Sequence, residues 1–533
     1  MASIGRASAL VGAGTLVSRI TGLVRNIVLA AALGAVASDA ADAFAIANQL
    51  PNNIYAIISS GLLAGVVVPQ IIKAASHRDG GSAFVSKLLT LGVSVLAAVT
   101  VLAVVAAPLL VMLYGAGLKD PRTIALTIAF AYWCLPQLLF YGLYALVGEV
   151  LNARRVFGPF AWSPIVNNLV SIVGFGAFIW IFGLHTSSSG WTPEMIALMG
   201  GTATAGIVLQ ALVLLLFWRR AGLHVRPDFR WRGIGLRDIG KLAGWTFLMV
   251  VAGQLAGLVQ TMVLGTAAGE GAGVAAIQFA WLVFMLPFSV IVLSIGTPYF
   301  TQLSEHVAAG RTDAVRDDLD VSTRTIGVLM VAALAAIVAA IVPIARIFTR
   351  APDESVQFAL VLAAFLVALL PLSVQFVLQR TFYAHHDTRT PFLFTAVQAA
   401  LVIVGAVGAL LLLPVQYLAA GIALTQSLAN VVQLALAVIL LRRKIGRLGL
   451  RRAAFAYLRF LAAGIPAAAA GWGVFILLGG VHGWATSDRG PAVLAIIAIG
   501  LVVLVVYVAG LAVLRAPELR SAVGIARRFL PGR

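Results

Sequence analysis

The chain has 533 residues, of which 61% are hydrophobic and only 11% are charged, and its formal net charge is +18. Soluble proteins carry charge on roughly a quarter of their residues, so this composition excludes a water-soluble globular fold. The single cysteine, Cys134, excludes an internal disulfide and any multi-cysteine metal site.

Backbone groups in hydrocarbon must bond to one another within helices or a closed barrel. The apolar runs here are about 20 residues or longer, the length a helix needs to cross a bilayer, and short alternating segments are missing. The sequence therefore predicts an all-α polytopic membrane protein with about fourteen spanning helices. In chain order we place them at 8–36, 42–74, 84–114, 122–150, 160–183, 196–218, 238–266, 272–304, 324–348, 355–384, 392–413, 418–441, 454–480 and 490–514.

The distribution of basic residues supports this helix map. If the N-terminus lies inside, 30 of the 37 lysines and arginines fall in inside segments and 5 in outside segments. Cytoplasmic loops carry such an excess, so the split predicts that both termini are cytoplasmic. The same rule explains the net charge without a nucleic-acid partner. The basic stretch 219–241 is predicted to rest on the anionic headgroups of membrane lipids.

Two pairs of similar segments indicate an internal repeat. LNARRVFGPF at 151–160 and YAHHDTRTPF at 383–392 each form a turn between an even and an odd helix, and Leu-Pro lies inside the second and the eighth helix. Repeated halves are typical of transporters that bind substrate between the repeats. We therefore predict two pseudo-symmetric six-helix lobes and two added helices. The predicted divisions are an N-lobe at 1–218, a basic linker at 219–237, a C-lobe at 238–441, and helices 13 and 14 with a basic tail at 442–533.

Two arginines inside the first helix are the strongest functional signal. Arg19 and Arg25 each cost about 2.5–3.5 kcal/mol to place at membrane depth, which favours a role beside water, counter-ions or an anion. A guanidinium suits phosphate because its planar donors bind two oxygens at once. The alternative is that they extend to the headgroups or pair with Asp39, Asp42 or Glu149 to hold helices together. Asp42, in turn, either complements the helix dipole or pairs with Arg25.

The second helix is unusually polar and is predicted to line a cavity. Polar side chains in a spanning helix normally face protein or water, which makes Asn48, Asn52 and Asn53 candidate substrate-binding residues. Prolines and glycines allow such helices to bend. The predicted hinge positions are Pro51 and Gly61 in this helix and Pro287 in the eighth.

No enzyme signature accompanies these features. We find no phosphate-binding loop, nucleotide fingerprint, zinc-protease motif or catalytic triad, and His385 and His386 lack further ligands for a metal. The sequence predicts a transporter without metal or cofactor.

Several segments together resemble the MviN/MurJ-type lipid II flippases. They are LVSRITGLVRNIVLAAALG, DAFAIANQLPNNIYAIISSGLLAGVVVPQI, LNARRVFGPFAWSPIVNN and LQRTFYAHHDTRTPF. The family belongs to the multidrug/oligosaccharidyl-lipid/polysaccharide exporter superfamily. The resemblance implies two six-helix lobes around a central cavity plus two C-terminal helices that form a lipid-side groove. It also matches the family's cavity arginines to Arg19 and Arg25 and its acidic residue to Asp42.

Other positions depart from the family pattern. Tyr55 and Ala56 stand where many members have a basic pair, and Ser60 stands where they have an acid. In the eighth helix, an Asp-Arg pair and a Glu of many members are replaced by uncharged residues, namely Trp281, Leu282 and Met285. A diphosphate-binding role is therefore not transferred to the eighth helix.

The resemblance implies that the substrate is lipid II, an undecaprenyl diphosphate carrying a disaccharide-pentapeptide, moved to the outer leaflet by alternating access. The expected location is the bacterial inner membrane, with cell-wall synthesis or division proteins as further possible partners. The alternatives are a flippase for another polyprenyl-linked glycan, a multidrug exporter, a membrane enzyme acting on polyprenyl phosphates, and a non-transporting cell-wall scaffold.

Overall fold

The computed structural model describes residues 2–62, 81–223, 225–230, 236–449 and 451–519. Over these residues the chain is helical and contains no strand. It forms two compact units, Met1–Ala275 and Ala276–Arg533.

Unit 1 contains nine helices among the described residues and begins a tenth. They are α1 (Ala2–Leu33), α2 (Asp39–Leu62), α3 (Ser82–Val105), α4 (Ala107–Tyr114), α5 (Pro121–Cys134), α6 (Gln137–Ala153), α7 (Gly158–Phe182), α8 (Pro193–Leu215), α9 (Leu236–Gly265) and the start of α10 (Val274–Pro287).

Unit 2 contains the rest of α10 and, in its described part, ten further helices. They are α11 (Leu293–Ala308), α12 (Thr312–Ala339), α13 (Ile341–Phe348), α14 (Pro352–Leu366), α15 (Leu369–Ala384), α16 (Arg389–Leu412), α17 (Val415–Ile445), α18 (Arg451–Leu477), α19 (Trp484–Ser487) and α20 (Arg489–Val513).

The predicted membrane spans agree with these helices. Thirteen helices or continuous helix pairs of the described chain are long and apolar enough to cross a membrane. The predicted second span, 42–74, coincides with α2 up to Leu62, and its remainder lies outside the described residues. The Gly-rich break predicted at 267–273 is confirmed, because α9 ends at Gly265 and α10 begins at Val274. The prediction of an all-α polytopic membrane protein with about fourteen spans is therefore confirmed.

Several spans are divided where the sequence predicts one helix. Proline in the first turn starts a helix readily because its missing N–H would have no partner there. Ala106 separates α3 from α4, which has Pro108 in its first turn, and Leu135 and Pro136 separate α5 from α6. The helix predicted at 324–348 begins earlier, at Thr312, so its first turns carry charged residues that precede the apolar run.

Side-chain caps fix the helix starts at one side of unit 1. Asp120 precedes α5 and accepts the N–H groups of Arg122 and Thr123, each at 3.2 Å. These donors, the Arg122 N–H foremost, hold the pKa of Asp120 below its ordinary value. Thr192 caps α8 by accepting the N–H of Met195 at 3.4 Å. Such caps satisfy N–H groups that a helix start leaves without partners.

The two turns that indicate the internal repeat have the same backbone geometry. In the first, Arg155 has φ 62° and the N–H of Val156 bonds back to Leu151 O. In the second, His386 has φ 55° and the following N–H, of Asp387, bonds back to Phe382 O. This is the left-handed end expected where a helix stops and the chain reverses. The two turns therefore share one structure despite little identity in sequence.

The helix α9 groups with unit 1. It packs along α2, and the side-chain amide of Gln49 donates to the Thr261 hydroxyl at 3.2 Å. The predicted lobe boundary, which follows the helix count, falls one helix earlier and stays a prediction about the lobes.

Candidate functional site

The helix α1 presents its two arginines differently. Asn168 of α7 donates from Nδ2 to the carbonyl of Ser18 and to the hydroxyl of Thr21, both at 3.0 Å. Ser18 and Thr21 therefore mark the side of α1 that packs on α7. At 100° per residue, Arg25 lies close to this side, whereas Arg19 lies about 100° away from Ser18. Accordingly Arg25 is half-buried and Arg19 is exposed.

Neither arginine is held in an ion pair within the part of the chain that the structure describes. No carboxylate oxygen of that part lies within 4.0 Å of the Arg19 or Arg25 guanidinium. Arg25 instead interacts electrostatically with the Tyr141 hydroxyl of α6. A half-buried guanidinium without a carboxylate is available to an anionic ligand.

Arg25 stands at the end of a chain of polar groups within unit 1. Tyr141 donates from its hydroxyl to Gln137 Oε1 at 3.3 Å. Gln137 donates from Nε2 to Asn48 Oδ1 at 3.3 Å and to the Thr204 hydroxyl at 3.0 Å. We call Arg25, Asn48, Gln137 and Tyr141 the polar cluster. It joins α1, α2 and α6 and contains one positive charge and no negative charge.

The other two predicted asparagines lie further along α2. Asn52 is exposed and free to meet a ligand. Asn53 is partly buried and interacts with the Tyr114 hydroxyl at the end of α4. Of the predicted substrate-binding residues, the structure therefore brings Arg25 and Asn48 together in one cluster. Arg19 and Asn52 are exposed outside it.

Asp42 is engaged with the start of α10. Its Oδ1 accepts the backbone N–H of Ala275 at 2.8 Å, and the side chain is almost fully buried. Gly273 packs so closely against this carboxylate that a Cβ at that position would clash with it. Asp42 thus complements an orphan N–H at a helix start, although that helix is α10 and not its own. Of the two predicted roles, the dipole role fits this geometry and an ion pair with Arg25 is not formed.

Asp39 is likewise satisfied by neutral groups. Its Oδ2 accepts from the hydroxyl of Ser188 at 2.6 Å and from that of Thr123 at 3.4 Å. These bonds join α2, α5 and the segment before α8. Asp39 is therefore no counter-ion for the arginines of α1.

One predicted hinge coincides with a change of helix type. The helix α10 ends at Pro287, and the next five residues, Phe288–Val292, form a π-helical turn before α11 begins. Such turns are rare and frequently lie at functional sites. Pro51 lies inside α2 and Gly61 falls near the last described residue of that helix.

Trp281 of α10 belongs to an aromatic cluster. The Trp281 ring lies 5.0 Å from Phe284 and 5.4 Å from Phe365 of α14. In unit 1, Tyr55 packs 6.0 Å from the Tyr141 ring. Trp281 and Tyr55 are thus used for ring packing.

The sequence did not single out Gln137, Tyr141 or Thr204. Gln137 follows Pro136 in an apolar run, and a buried amide inside such a run is itself a signal because it needs polar partners. Identification of those partners required the packing of α6 against α2 and α8.

Solved structures identify the fold. A structure of the lipid II flippase MurJ in an inward closed conformation matches with a TM-score of 0.69 at 18% identity, and covers 95% of this chain and 99% of that one. An inward-facing MATE multidrug transporter of the MOP superfamily matches with a TM-score of 0.66 at 16% identity, and covers 81% and 95%. The chain therefore has the fold of this class of multi-pass membrane transporters.

Sequence comparisons identify the family. Residues 29–487 match the sequence model of the family described as lipid II flippase MurJ. A probable lipid II flippase MurJ of Rhizobium tropici is 29% identical over 441 residues, which are 80% of this chain and 79% of that protein. One of Synechocystis is 25% identical over 533 residues, which cover 97% and 96%. The chain belongs to the MurJ lipid II flippase family.

Proposed function

We propose that this protein moves lipid II from the inner to the outer leaflet of the bacterial inner membrane. The observation that carries the proposal is the half-buried Arg25 guanidinium, which has no carboxylate partner in the described chain and sits at the end of the polar cluster. The two phosphates of a polyprenyl diphosphate supply the negative charge that such a group favours at membrane depth.

In this mechanism the headgroup enters from the cytoplasmic leaflet and the polyprenyl tail stays in lipid. Arg25 contacts a phosphate, and the uncharged amides of Asn48 and Asn52 donate to sugar or peptide oxygens. Arg19, which is exposed, attracts the anionic headgroup before it reaches Arg25. Access to the site then alternates between the two sides of the membrane. Bending at Pro51 and Gly61 of α2 and unwinding beside Pro287 accommodate the change.

The orientation follows from the basic residues, with both termini in the cytoplasm. The proposed partners are lipid II, membrane lipids and proteins of cell-wall synthesis or division, and no chemical conversion of the substrate is required. A drug exporter of the same fold is less well supported, because the polar cluster offers a guanidinium and no carboxylate to a cationic drug.

Transport by purified protein in liposomes that contain fluorescent lipid II tests this proposal. Arg25→Ala should reduce the flipping rate about ten-fold or more, because a hydrogen bond to a charged group is worth roughly 1.5–3 kcal/mol. Arg25→Lys keeps the charge and loses the planar fork, so an intermediate rate is expected. Arg122→Ala, which removes an exposed arginine at the start of α5, is the control.

Each variant is first compared with the wild type for its amount in the membrane. Wild-type flipping rates in both Arg25→Ala and Arg19→Ala, at equal protein amounts, would overturn the proposed mechanism.

A further inference from the structure

A second charged site lies wholly within unit 2. It is a cavity of about 600 Å³ where α12 begins and where the chain passes from α17 to α18. We call it the basic pocket. Its charged lining consists of four arginines and three aspartates.

Two of the aspartates are already neutralised. Asp313 accepts from Arg316 Nη1 at 2.8 Å. The buried Asp320 pairs with Arg324 at 2.7 Å, and Arg324 also pairs with the buried Glu518 at 3.1 Å. These pairs belong to the protein's own structure and leave little charge for a ligand.

The remaining charge in the pocket is positive. Arg447, Arg451 and Arg452 are exposed, and no carboxylate of the described chain lies within 4.0 Å of them. The lining contains one further carboxylate, that of the exposed Asp317. Three guanidiniums and one carboxylate leave the pocket with a net charge of about +2. This charge favours binding of an anion with one or two negative charges.

The position of two of these arginines is unfavourable without such an anion. Arg451 and Arg452 are the first residues of α18, whose first turn has no acidic residue. The positive end of the helix dipole disfavours cations there, whereas both the dipole and the guanidiniums favour an anion. Local helix stability therefore does not account for these two residues.

An apolar stripe leads from the pocket along α18. Phe455 lines the pocket, and its ring lies 5.7 Å from the Arg451 guanidinium. Leu458 and Ile465 follow it at spacings of three and seven residues, and all three side chains are more than half exposed. This spacing places them on one side of the helix. A lipid can therefore set its phosphate in the pocket and its acyl chains on the stripe.

We propose that the basic pocket binds the phosphate-bearing headgroup of an anionic membrane lipid. With the termini in the cytoplasm, this lipid is in the cytoplasmic leaflet. The site shares no residue with the polar cluster, so binding of this lipid can be tested without measuring transport of lipid II.

Lipid retention by the full-length protein tests the proposal. Delipidated wild type, Arg451→Gln/Arg452→Gln and Arg442→Gln/Arg443→Gln are mixed with phosphatidylglycerol or phosphatidylcholine and compared by native mass spectrometry. The second variant removes a matched pair of exposed arginines from the last turn of α17, outside the pocket. If the first variant fails to fold, Arg447→Gln, in the connecting segment, replaces it.

We expect the wild type and the α17 variant to retain phosphatidylglycerol equally, and the α18 variant to retain it roughly ten-fold less or lower still, since two arginines that attract the anionic headgroup are lost. Retention of phosphatidylcholine should be the same in all three. Equal loss of phosphatidylglycerol in the α18 and α17 variants, or no loss in either, would contradict the proposed site. Binding of free glycerol phosphate to the pocket without retention of phosphatidylglycerol would overturn the assignment of a lipid.

Discussion

At the scale of single residues, Arg19 and Arg25 differ in their angular position around α1, although both are arginines of the same helix. Arg25 lies seven residues, about two turns, after Ser18 and so shares the side of α1 that packs on α7. Arg19 follows Ser18 directly and points away from that side. The sequence predicts that the two arginines lie at different angles around α1, but not which of them faces protein, because that depends on the position of α7.

Asp42 supports the start of α10, and its removal should destabilise the protein. Asp42→Ala leaves the buried N–H of Ala275 without an acceptor, at a cost of about 1–3 kcal/mol. Asp42→Asn keeps an oxygen acceptor and should cost less. Thermal unfolding in detergent measures both, with Asp353→Ala, which removes an exposed aspartate from the first turn of α14, as the control. An unfolding temperature of Asp42→Ala equal to that of the control would contradict this role.

Gln137 connects the members of the polar cluster, so its replacement should affect both stability and transport. Gln137→Leu is close in size but leaves Asn48 and the Tyr141 hydroxyl without this partner, which should cost about 1–3 kcal/mol. The flipping rate should also fall, because Tyr141 no longer holds its position beside Arg25. Gln416→Leu, at an exposed position near the start of α17, is the matched control. Unchanged stability and unchanged flipping in Gln137→Leu would show that the cluster has no such role.

At the scale of helices, the turn between α15 and α16 depends on one carboxylate. Asp387 accepts the N–H of Thr390 at 3.0 Å and its hydroxyl at 2.9 Å, and pairs with the Lys444 ammonium of α17 at 2.6 Å. Burial alone would raise the pKa of Asp387, but these donors outweigh it and hold the pKa below its ordinary value. The ionised carboxylate therefore joins the starts and ends of three helices.

This arrangement predicts a pH dependence of stability. Because the pKa of Asp387 is lower in the folded than in the unfolded state, its contribution is complete above the unfolded value of about 3.9 and is lost as the pH falls through the folded value. The wild type should therefore unfold at a higher temperature than Asp387→Asn at pH 7, and the difference should narrow below about pH 4. A difference that stays constant from pH 7 to pH 3 would contradict the assignment.

Arg346 holds the segment between the last two spanning helices. It is buried at the end of α13 and donates to the carbonyls of Thr349, Thr486 and Ser487 at 2.6, 2.8 and 3.2 Å. Arg346→Ala should lower the free energy of unfolding by about 2 kcal/mol or more, since several charged hydrogen bonds are lost. Arg346→Lys keeps the charge but loses the planar guanidinium, so its free energy of unfolding should lie between those of the wild type and Arg346→Ala. Equal unfolding temperatures for the wild type and Arg346→Ala would rule this role out.

The helices themselves were largely predictable, and their contacts were not. Apolar runs and the Gly-rich break before Val274 placed the spans, because hydrocarbon thickness sets their length. The hydrogen bond from Ala275 to Asp42 joins residues 233 positions apart, so no local pattern predicts it. The same holds for the hydrogen bonds from Arg346 to Thr486 and Ser487, which lie 140 and 141 positions further along the chain.

At the scale of the whole molecule, the class of protein and the family could be predicted from the sequence, whereas the candidate site could be predicted only in part. Composition and spacing specified a multi-pass helical protein, and short motifs spread along the chain specified the family. The alternative of arginine–aspartate ion pairs is not formed, because Asp39 accepts from hydroxyls and Asp42 accepts from the backbone N–H of Ala275. These partners come from segments distant in sequence, and only the folded chain brings them together.

Transport of lipid II to the outer leaflet by this protein is tested most directly by measuring on which side of the membrane lipid II lies in cells. The protein is depleted in the bacterium that produces it, and the fraction of lipid II accessible from outside is measured. Lipid II should then accumulate in the cytoplasmic leaflet. Wild-type protein should restore the outward pool, and an Arg25→Ala variant present in equal amount should not. An unchanged outward fraction of lipid II after depletion, or full restoration by Arg25→Ala, would contradict this account.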